Sequence, residues 1–391
     1  MTSEQLVGEL PADVVSGDDD TGDDADEFTR SAEAWLKENV PARYRDHRGA
    51  LSNEETDEIR RNWDRQLHQG GFAGLGLPRE WGGQGLGLRE EVAFHVLAGK
   101  AKAPDGFGRV AKVLVAPMLI TSGTEEQKAK YLPKILSGDE VWCQGFSEPS
   151  AGSDLAGVKT RAVKVDGGYL ITGRKTWTSF AQHADYCFLL AQTDPAAPRY
   201  KNLGMFLVDM KQPGVSISDI KQISGAIHFA EVAFTKVFVS DGDIVGEPGD
   251  GWSVAMRILT DERGGTETAA RYVEIRSDVD LLLESCGDRP ELASELQELD
   301  IRTELLRWQL SKVVDLEDDM GDAFQRAVSI LKVLWSELWQ DVTRVGIKAM
   351  VAADREHWRY QYFESRAVSI YSGTNEIQRN IISERVLGLP R

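Results

Sequence analysis

From Phe28 to about Glu140, apolar residues recur every three to four positions, as at Phe28, Ala32, Trp35 and Leu36. That spacing lines one face of a helix, so helices are predicted through this third of the chain. Within it, Gly70 to Gly87 is rich in glycine and contains Pro78 and Trp81, which reads as an ordered loop between helices. Thr124-Glu125-Glu126-Gln127 has the form of a capping box, predicting a helix that ends near Gly138. Between about Val141 and Gly249 the period falls to two. Runs rich in strand-forming residues occur at Tyr186 to Leu190, Gly204 to Val208, Val215 to Ile220 and Glu231 to Val239, separated by Gly, Pro and Asp turns. An antiparallel β domain is expected there. After Gly251 helical spacing returns, with Trp252, Ala255, Met256 and Leu259 on one face, and long amphipathic segments follow at 267–286, 291–315, 321–353 and 374–386.

Helices, then strands, then helices is an α+β order, with domains expected at 28–140, 141–249 and 250–391. It excludes an alternating βα layout. In agreement, neither Gly74 to Gly76 nor Gly82 to Gly87 supplies GxGxxG after a strand. A length of 391 residues suits several modules at roughly 150 residues each.

The formal charge of −18 disfavours a nucleic-acid backbone or an anionic membrane as the main partner, because both would be repelled. Part of that charge is concentrated at Asp18, Asp19, Asp20, Asp23, Asp24, Asp26 and Glu27. Like charges at such density resist compaction, so residues 1–27 are expected to form a disordered acidic tail. Cys143, Cys187 and Cys286 are far apart and form no CxxC, which suggests neither a disulfide framework nor a zinc site. The six histidines have no HxxxH or HExxH spacing, and His183 and His228 read as structural residues of the β domain. No leader-like basic and apolar start occurs, nor an apolar run of the roughly 18 residues needed to span a bilayer. A cytoplasmic protein is expected.

The densest chemical signal is Cys143-Gln144-Gly145-Phe146-Ser147-Glu148-Pro149-Ser150-Ala151-Gly152-Ser153-Asp154, where small hydroxyl and glycine residues crowd together. Such a stretch lets backbone N–H groups approach a planar ligand or its phosphates. A second stretch, Gly168 to Ser179, places Trp177 between hydroxyl-bearing neighbours. Taken singly these residues are mundane, since Ser or Thr beside Gly usually marks a turn and a Trp in a β domain is usually core.

Together, in this order and at this interval, the two motifs resemble the flavin-binding signatures of the acyl-CoA dehydrogenase family. The resemblance extends over nearly the whole chain from about residue 28. Gly74 to Gly85 is similar to the family's glycine-rich N-terminal loop, Gly123 to Pro133 to its next landmark, and Ile370-Tyr371-Ser372-Gly373-Thr374-Asn375-Glu376 to its closing signature. It implies an N-terminal helical domain, a central β-barrel-like domain and a C-terminal helical bundle, with FAD held between the last two and completed by a neighbouring subunit. By positional match, Phe146, Ser147, Gly152, Ser153, Trp177, Thr178, Ser179, Thr374, Asn375 and Glu376 would bind the cofactor. The implied reaction is α,β-dehydrogenation of an acyl thioester, with a carboxylate taking the α proton, hydride passing to flavin N5 and electrons leaving to an electron-transfer flavoprotein or another acceptor.

Many family members carry the catalytic glutamate just before the Gly-Thr of the closing signature, where this chain has Ser372. A neutral serine without an adjacent base cannot abstract a carbon-bound proton. In one branch the glutamate lies on the helix after the β domain, directly before an arginine, and here Thr260-Asp261-Glu262-Arg263 occupies that place. The helical pattern puts Glu262 at the edge of the apolar stripe, where burial would raise its pKa toward a working value. The resemblance therefore makes Glu262 the base, with Asp261 as fallback, and Ser153, Arg263 and Ser372 as substrate-binding positions. The bland reading, an exposed helix residue in an acidic protein, stays open from periodicity alone.

Two departures stand out. No Arg-x-x-Phe-Gly occurs between Arg271 and Glu291, and Gln340 to Gly346 lacks the usual glycine-rich turn. These departures are similar to a bacterial subgroup that acts on bulky thioesters, including steroid side chains, sometimes as heterotetramers of two related chains. A homotetramer or such a heterotetramer is expected. Flavin monooxygenation on the same fold, and a non-catalytic subunit of a heteromer, are the alternatives.

Overall fold

The computed structural model describes residues 22–47, 51–261, 266–316, 321–349 and 355–390. They form two compact units, one built from residues up to 48 with 86–103 and 263–391, the other from 49–85 and 104–262.

The first unit is helical. It contains α1 (Gly22–Asn39), α2 (Ala42–His47), α4 (Leu88–Lys100), α8 (Thr266–Cys286), α9 (Ala293–Asp315), α10 (Asp322–Ala349), α11 (Arg355–Glu364) and α12 (Asn375–Ile381). α1 moves the boundary of the expected tail, because residues 22–27 are helical, and the remainder of that tail, 1–21, lies outside the described residues. Ala32 and Leu36 are buried, as the spacing predicts. The core of this unit gathers Val92 and Val96 with Ile275, Leu306, Leu310, Leu331 and Trp339. α10 runs unbroken through Gln340 to Gly346, in place of a turn. Gly346 there is a packing glycine, since a Cβ would sit 2.0 Å from the Trp358 ring of α11.

The second unit combines α3 (Asn53–Gln69), α5 (Ala116–Ser122), α6 (Glu125–Ser137) and α7 (Gly251–Asp261) with a sheet. Thr124 and Gln127 make the expected capping box, and Gly138 ends α6 in the left-handed conformation. The Gln127 amide also donates to the carbonyls of Gly242 and Ile244, at 2.9 and 2.6 Å, fastening α6 to the turn before the last strand. In the glycine-rich loop, Gly83 is obligatory because a Cβ would lie 2.1 Å from the Leu77 carbonyl oxygen.

The strands are β1 (Trp142–Gly145), β2 (Arg161–Val165), β3 (Gly168–Ser179), β4 (Tyr186–Gln192), β5 (Leu203–Asp209), β6 (Val215–Ile220), β7 (Phe229–Ser240) and β8 (Ile244–Val245). Their order is β6-β7-β3-β2-β4-β5-β8, with β1 paired to β4. Two expectations are corrected here. The sheet is open, not a closed barrel, because β6 and the two-residue β8 are its ends and do not pair. It is mixed, not antiparallel, because β1 and β2 both run parallel to β4. β4 and β5 are buried on both faces: Phe188, Leu190, Met205 and Leu207 meet the helices, while Leu189, Ala191, Phe206 and Val208 meet the other strands. α7 closes the helical side through Val254, Ala255 and Ile258, flanked by Trp252, Met256 and Leu259.

Candidate functional site

In the sheet unit, β1 ends at Gly145 and the chain turns into the first motif. The Phe146 ring is buried edge-on against Phe188, at 5.3 Å, which makes it a core residue. Glu148 and Ala151 exchange backbone hydrogen bonds of 2.9 and 3.0 Å, closing a tight turn with Pro149 and Ser150 at its tip. Gly152 and Ser153 are exposed beyond it, and nothing lies within 4 Å of where a Gly152 Cβ would be. Ser147 is half-buried, and its carbonyl accepts from the Thr176 amide at 2.9 Å.

The second motif lies on β3, whose pairing with β7 shifts between Lys175 and Thr178. Residues on a strand alternate faces, so Tyr169, Ile171 and Lys175 point inward and parity would carry Trp177 inward as well. One extra residue on β3 reverses this. Trp177 adopts φ 58°, a left-handed conformation rare for a bulky side chain. Trp177 is 58% exposed, Ser179 is half-buried, and Thr178 turns fully inward. The Thr178 hydroxyl is sealed from solvent and has no hydrogen-bond partner among the described residues.

Beneath both motifs lies an ion pair. Lys175, fully buried, donates to Glu148 Oε1 at 2.8 Å and to the Phe146 carbonyl at 3.0 Å. Glu148 in turn accepts from the amides of Lys159 and Thr160, at 2.6 and 2.9 Å. Burial pulls the Lys175 pKa down, and the Glu148 charge offsets part of that. Burial pushes Glu148 up, but the Lys175 charge and the hydrogen bonds it accepts leave it below the ordinary carboxylate value. Neither residue carries a role in the family reading. The sign in the sequence is parity: a lysine at an inward strand position needs a partner.

His183 stacks on Phe107 at 4.5 Å and lies 3.3 Å from Asp57, while His228 packs beside Phe180. Burial, then the neighbouring Arg61 and Arg60, depress the His183 pKa against the pull of Asp57.

In the helical unit, the closing signature forms the turn that opens α12. Ser372 has φ 51° and Gly373 φ 80°. The Thr374 hydroxyl caps α12 by accepting from the Ile377 amide at 3.1 Å. Asn375 is buried, its Oδ1 accepting from Lys332 at 2.6 Å and from Ser336 at 3.1 Å. Glu376 is exposed. Gln378 reaches back to the Ser372 carbonyl at 3.4 Å. The hydroxyl of Thr374 and the amide of Asn375 thus serve the fold. Glu262 and Arg263 lie outside the described residues, as does the side chain of Asp261.

An exposed aromatic face, neutral hydroxyls and an open glycine suit an uncharged planar ring better than an ion, and no His, Cys, Asp and Glu group among the described residues could hold a metal. Family models match end to end: acyl-CoA dehydrogenase, N-terminal domain, at residues 22–139, middle domain at 143–237 and C-terminal domain at 249–387. The acyl-CoA dehydrogenase IpdE1 of Mycolicibacterium smegmatis is 37% identical over 93% of this chain and 98% of its own length. The chain belongs to the acyl-CoA dehydrogenase family. As a member it is an oxidoreductase of that class. Its fold matches a structure titled "Tcur3481-Tcur3483 steroid ACAD" with a TM-score of 0.82 and 28% identity, over 98% of this chain and 99% of that one. A chain of the ChsE4-ChsE5 complex from Mycobacterium tuberculosis gives a TM-score of 0.81 and 26% identity over 94% and 97%. No helix among the described residues of this acyl-CoA dehydrogenase is long and apolar enough to cross a membrane.

Proposed function

We propose that this chain binds FAD and dehydrogenates an acyl thioester between its α and β carbons, giving the trans-2-enoyl thioester. The observation that carries the reading is the β3 bulge, which turns Trp177 out of the core beside Ser147 and Ser179, within a chain of the acyl-CoA dehydrogenase family. Trp177 and Ser179 would hold the flavin ring, with Ser147 and the open Gly152–Ser153 turn approaching it through hydroxyls and backbone. When bound, FAD supplies the two-electron acceptor for the hydrogen leaving the β carbon.

Glu262, the residue directly after α7, is the proposed base that takes the α proton, and Ser372 is excluded because it has no carboxylate. Ser372 would line the substrate, as its match to the closing signature implies. Arg263 would hold the substrate. We infer a bulky, ring-bearing acyl group, supported by the steroid named for the similar Tcur3481-Tcur3483 protein. An electron-transfer flavoprotein or another acceptor would reoxidise the enzyme. Three buried free cysteines suit a reducing cytoplasm.

Assembly with a second copy or a related chain is part of the proposal. Ile301, Leu305 and Trp308 follow one face of α9 and are each more than half exposed, an apolar ridge of the kind that subunit contacts cover. Both similar structures carry paired chain names, which favours a heteromer.

The test is anaerobic bleaching of the bound flavin by a panel of thioesters, with Glu262→Gln alongside. The variant should keep its yellow colour and lose bleaching by about 100- to 10,000-fold, the range of general-base contributions. Unchanged bleaching would remove Glu262 from the mechanism.

A further inference from the structure

Two stretches of chain far apart in sequence meet at one buried point in the sheet unit. The loop 146–160 follows β1, and Lys175-Thr176 belongs to β3. Three hydrogen bonds join them: Lys175 Nζ to the Phe146 carbonyl, Lys175 Nζ to Glu148, and the Thr176 amide to the Ser147 carbonyl. Glu148 then takes the Lys159 and Thr160 amides on the far side of the exposed Gly152 turn, so one carboxylate grips both ends of the loop. The first residue beyond this knot is Trp177, inside the bulge.

We propose that the Glu148–Lys175 pair is the positioning device of the flavin site: it locks the loop carrying Ser147, Gly152 and Ser153 against β3, so that these residues and Trp177 face one ligand. The inference rests on the flavin reading above. The pair does not touch the ligand, because both side chains are buried beneath the motifs. A hydrophobic pair of equal volume could fill the space, but it would leave the Phe146 carbonyl and the Lys159 and Thr160 amides without partners. The charges are therefore retained for the backbone they organise, and that backbone is the loop itself. The lowered pKa of Glu148 agrees with a carboxylate held ionised by these donors.

The test titrates FAD into flavin-free protein for the parent chain, Glu148→Gln, Lys175→Met and the double variant E148M/K175M. Each is also measured for thermal midpoint, bound-flavin absorption and amide hydrogen exchange over 146–153 and 175–179. Glu148→Gln keeps the volume and one acceptor, and the double variant removes both charges together, so both keep the test open if Lys175→Met alone does not fold. FAD affinity should fall at least about tenfold in the double variant and less in Glu148→Gln, because binding then has to order a loosened loop. Faster exchange over both segments and a changed flavin band shape should accompany that loss. If the folded variants take up FAD as tightly as the parent, with the same spectrum, the pair serves stability alone and the proposal is overturned while the flavin reading stands. If the parent takes up no FAD, both fall together.

Discussion

The bulge in β3 and the turn that opens α12 place the same demand on the backbone and use their side chains in opposite ways. Trp177 and Ser372 both adopt positive φ, a conformation that costs of the order of 1–3 kcal/mol outside glycine and persists only where the surroundings enforce it. At the bulge, the extra residue throws a large aromatic outward, leaves Thr176 and Ser179 half-buried and turns Thr178 inward. At the turn, the residues that follow fold inward: Thr374 caps a helix and Asn375 receives Lys332 and Ser336. A motif that matches a family's binding signature therefore marks where the chain's geometry is demanding. Which of its side chains reach a ligand is decided by the local hydrogen bonds.

The largest effect should appear on removing the buried charge behind the bulge. Lys175→Met strands the Glu148 carboxylate in the core, and the loss of one partner of a buried pair costs about 3–5 kcal/mol. Denaturant unfolding of the flavin-free protein checks this, and a loss below about 1 kcal/mol would show that the pair is solvated in solution. Glu148 also predicts an acid dependence. Its folded pKa lies below its unfolded value of about 4.3. The stability it contributes is thus fully present above that value and is lost as pH falls through the lowered folded one. The stability gap between the parent and Glu148→Gln should accordingly be widest above about pH 5 and narrow as the solution is made more acidic.

Asn375→Ala should cost less, about 1–3 kcal/mol, because it leaves Lys332 and Ser336 each short of one acceptor without exposing an unpaired carboxylate. Its effect should fall on the unfolding midpoint and spare the bound-flavin spectrum. A shifted flavin band at unchanged stability would instead return Asn375 to the ligand, as its position in the family signature implies.

The parts of this structure readable from sequence are those set by near neighbours. The Thr124 capping box, the Gly138 terminator, the apolar face of α7 and the strands at 186–192, 203–209, 215–220 and 229–240 all follow from spacing within a few residues. What eluded it depends on pairing across the chain. β1 and β2 lie parallel to β4 because of how the loop 146–160 crosses, which no local period records. The face flip at Trp177 is likewise non-local. β7 carries a compensating irregularity, with Lys236 at φ 52°, so the two strands slip by one residue and then recover. Counting by twos through that region sends Trp177 into the core and Thr178 out, the reverse of what folds. Glu148 and Lys175 were visible as residues, but their meeting required the fold.

That reversal yields the smallest and most discriminating effect. Thr178 matches a cofactor-binding position by sequence, yet it points inward, fully buried, and its hydroxyl lacks a partner among the described residues. Valine has nearly the same shape without the hydroxyl, so Thr178→Val removes an unsatisfied polar atom and little else. Stability of the flavin-free protein should hold or rise by up to about 1 kcal/mol, and FAD affinity should change less than about twofold. The hydroxyl's inward direction predicts both outcomes together. A loss of FAD affinity of about fivefold or more, with stability unchanged, would mean that binding draws the hydroxyl out toward the ring, and that the bulge is a movable element whose face is chosen by its ligand.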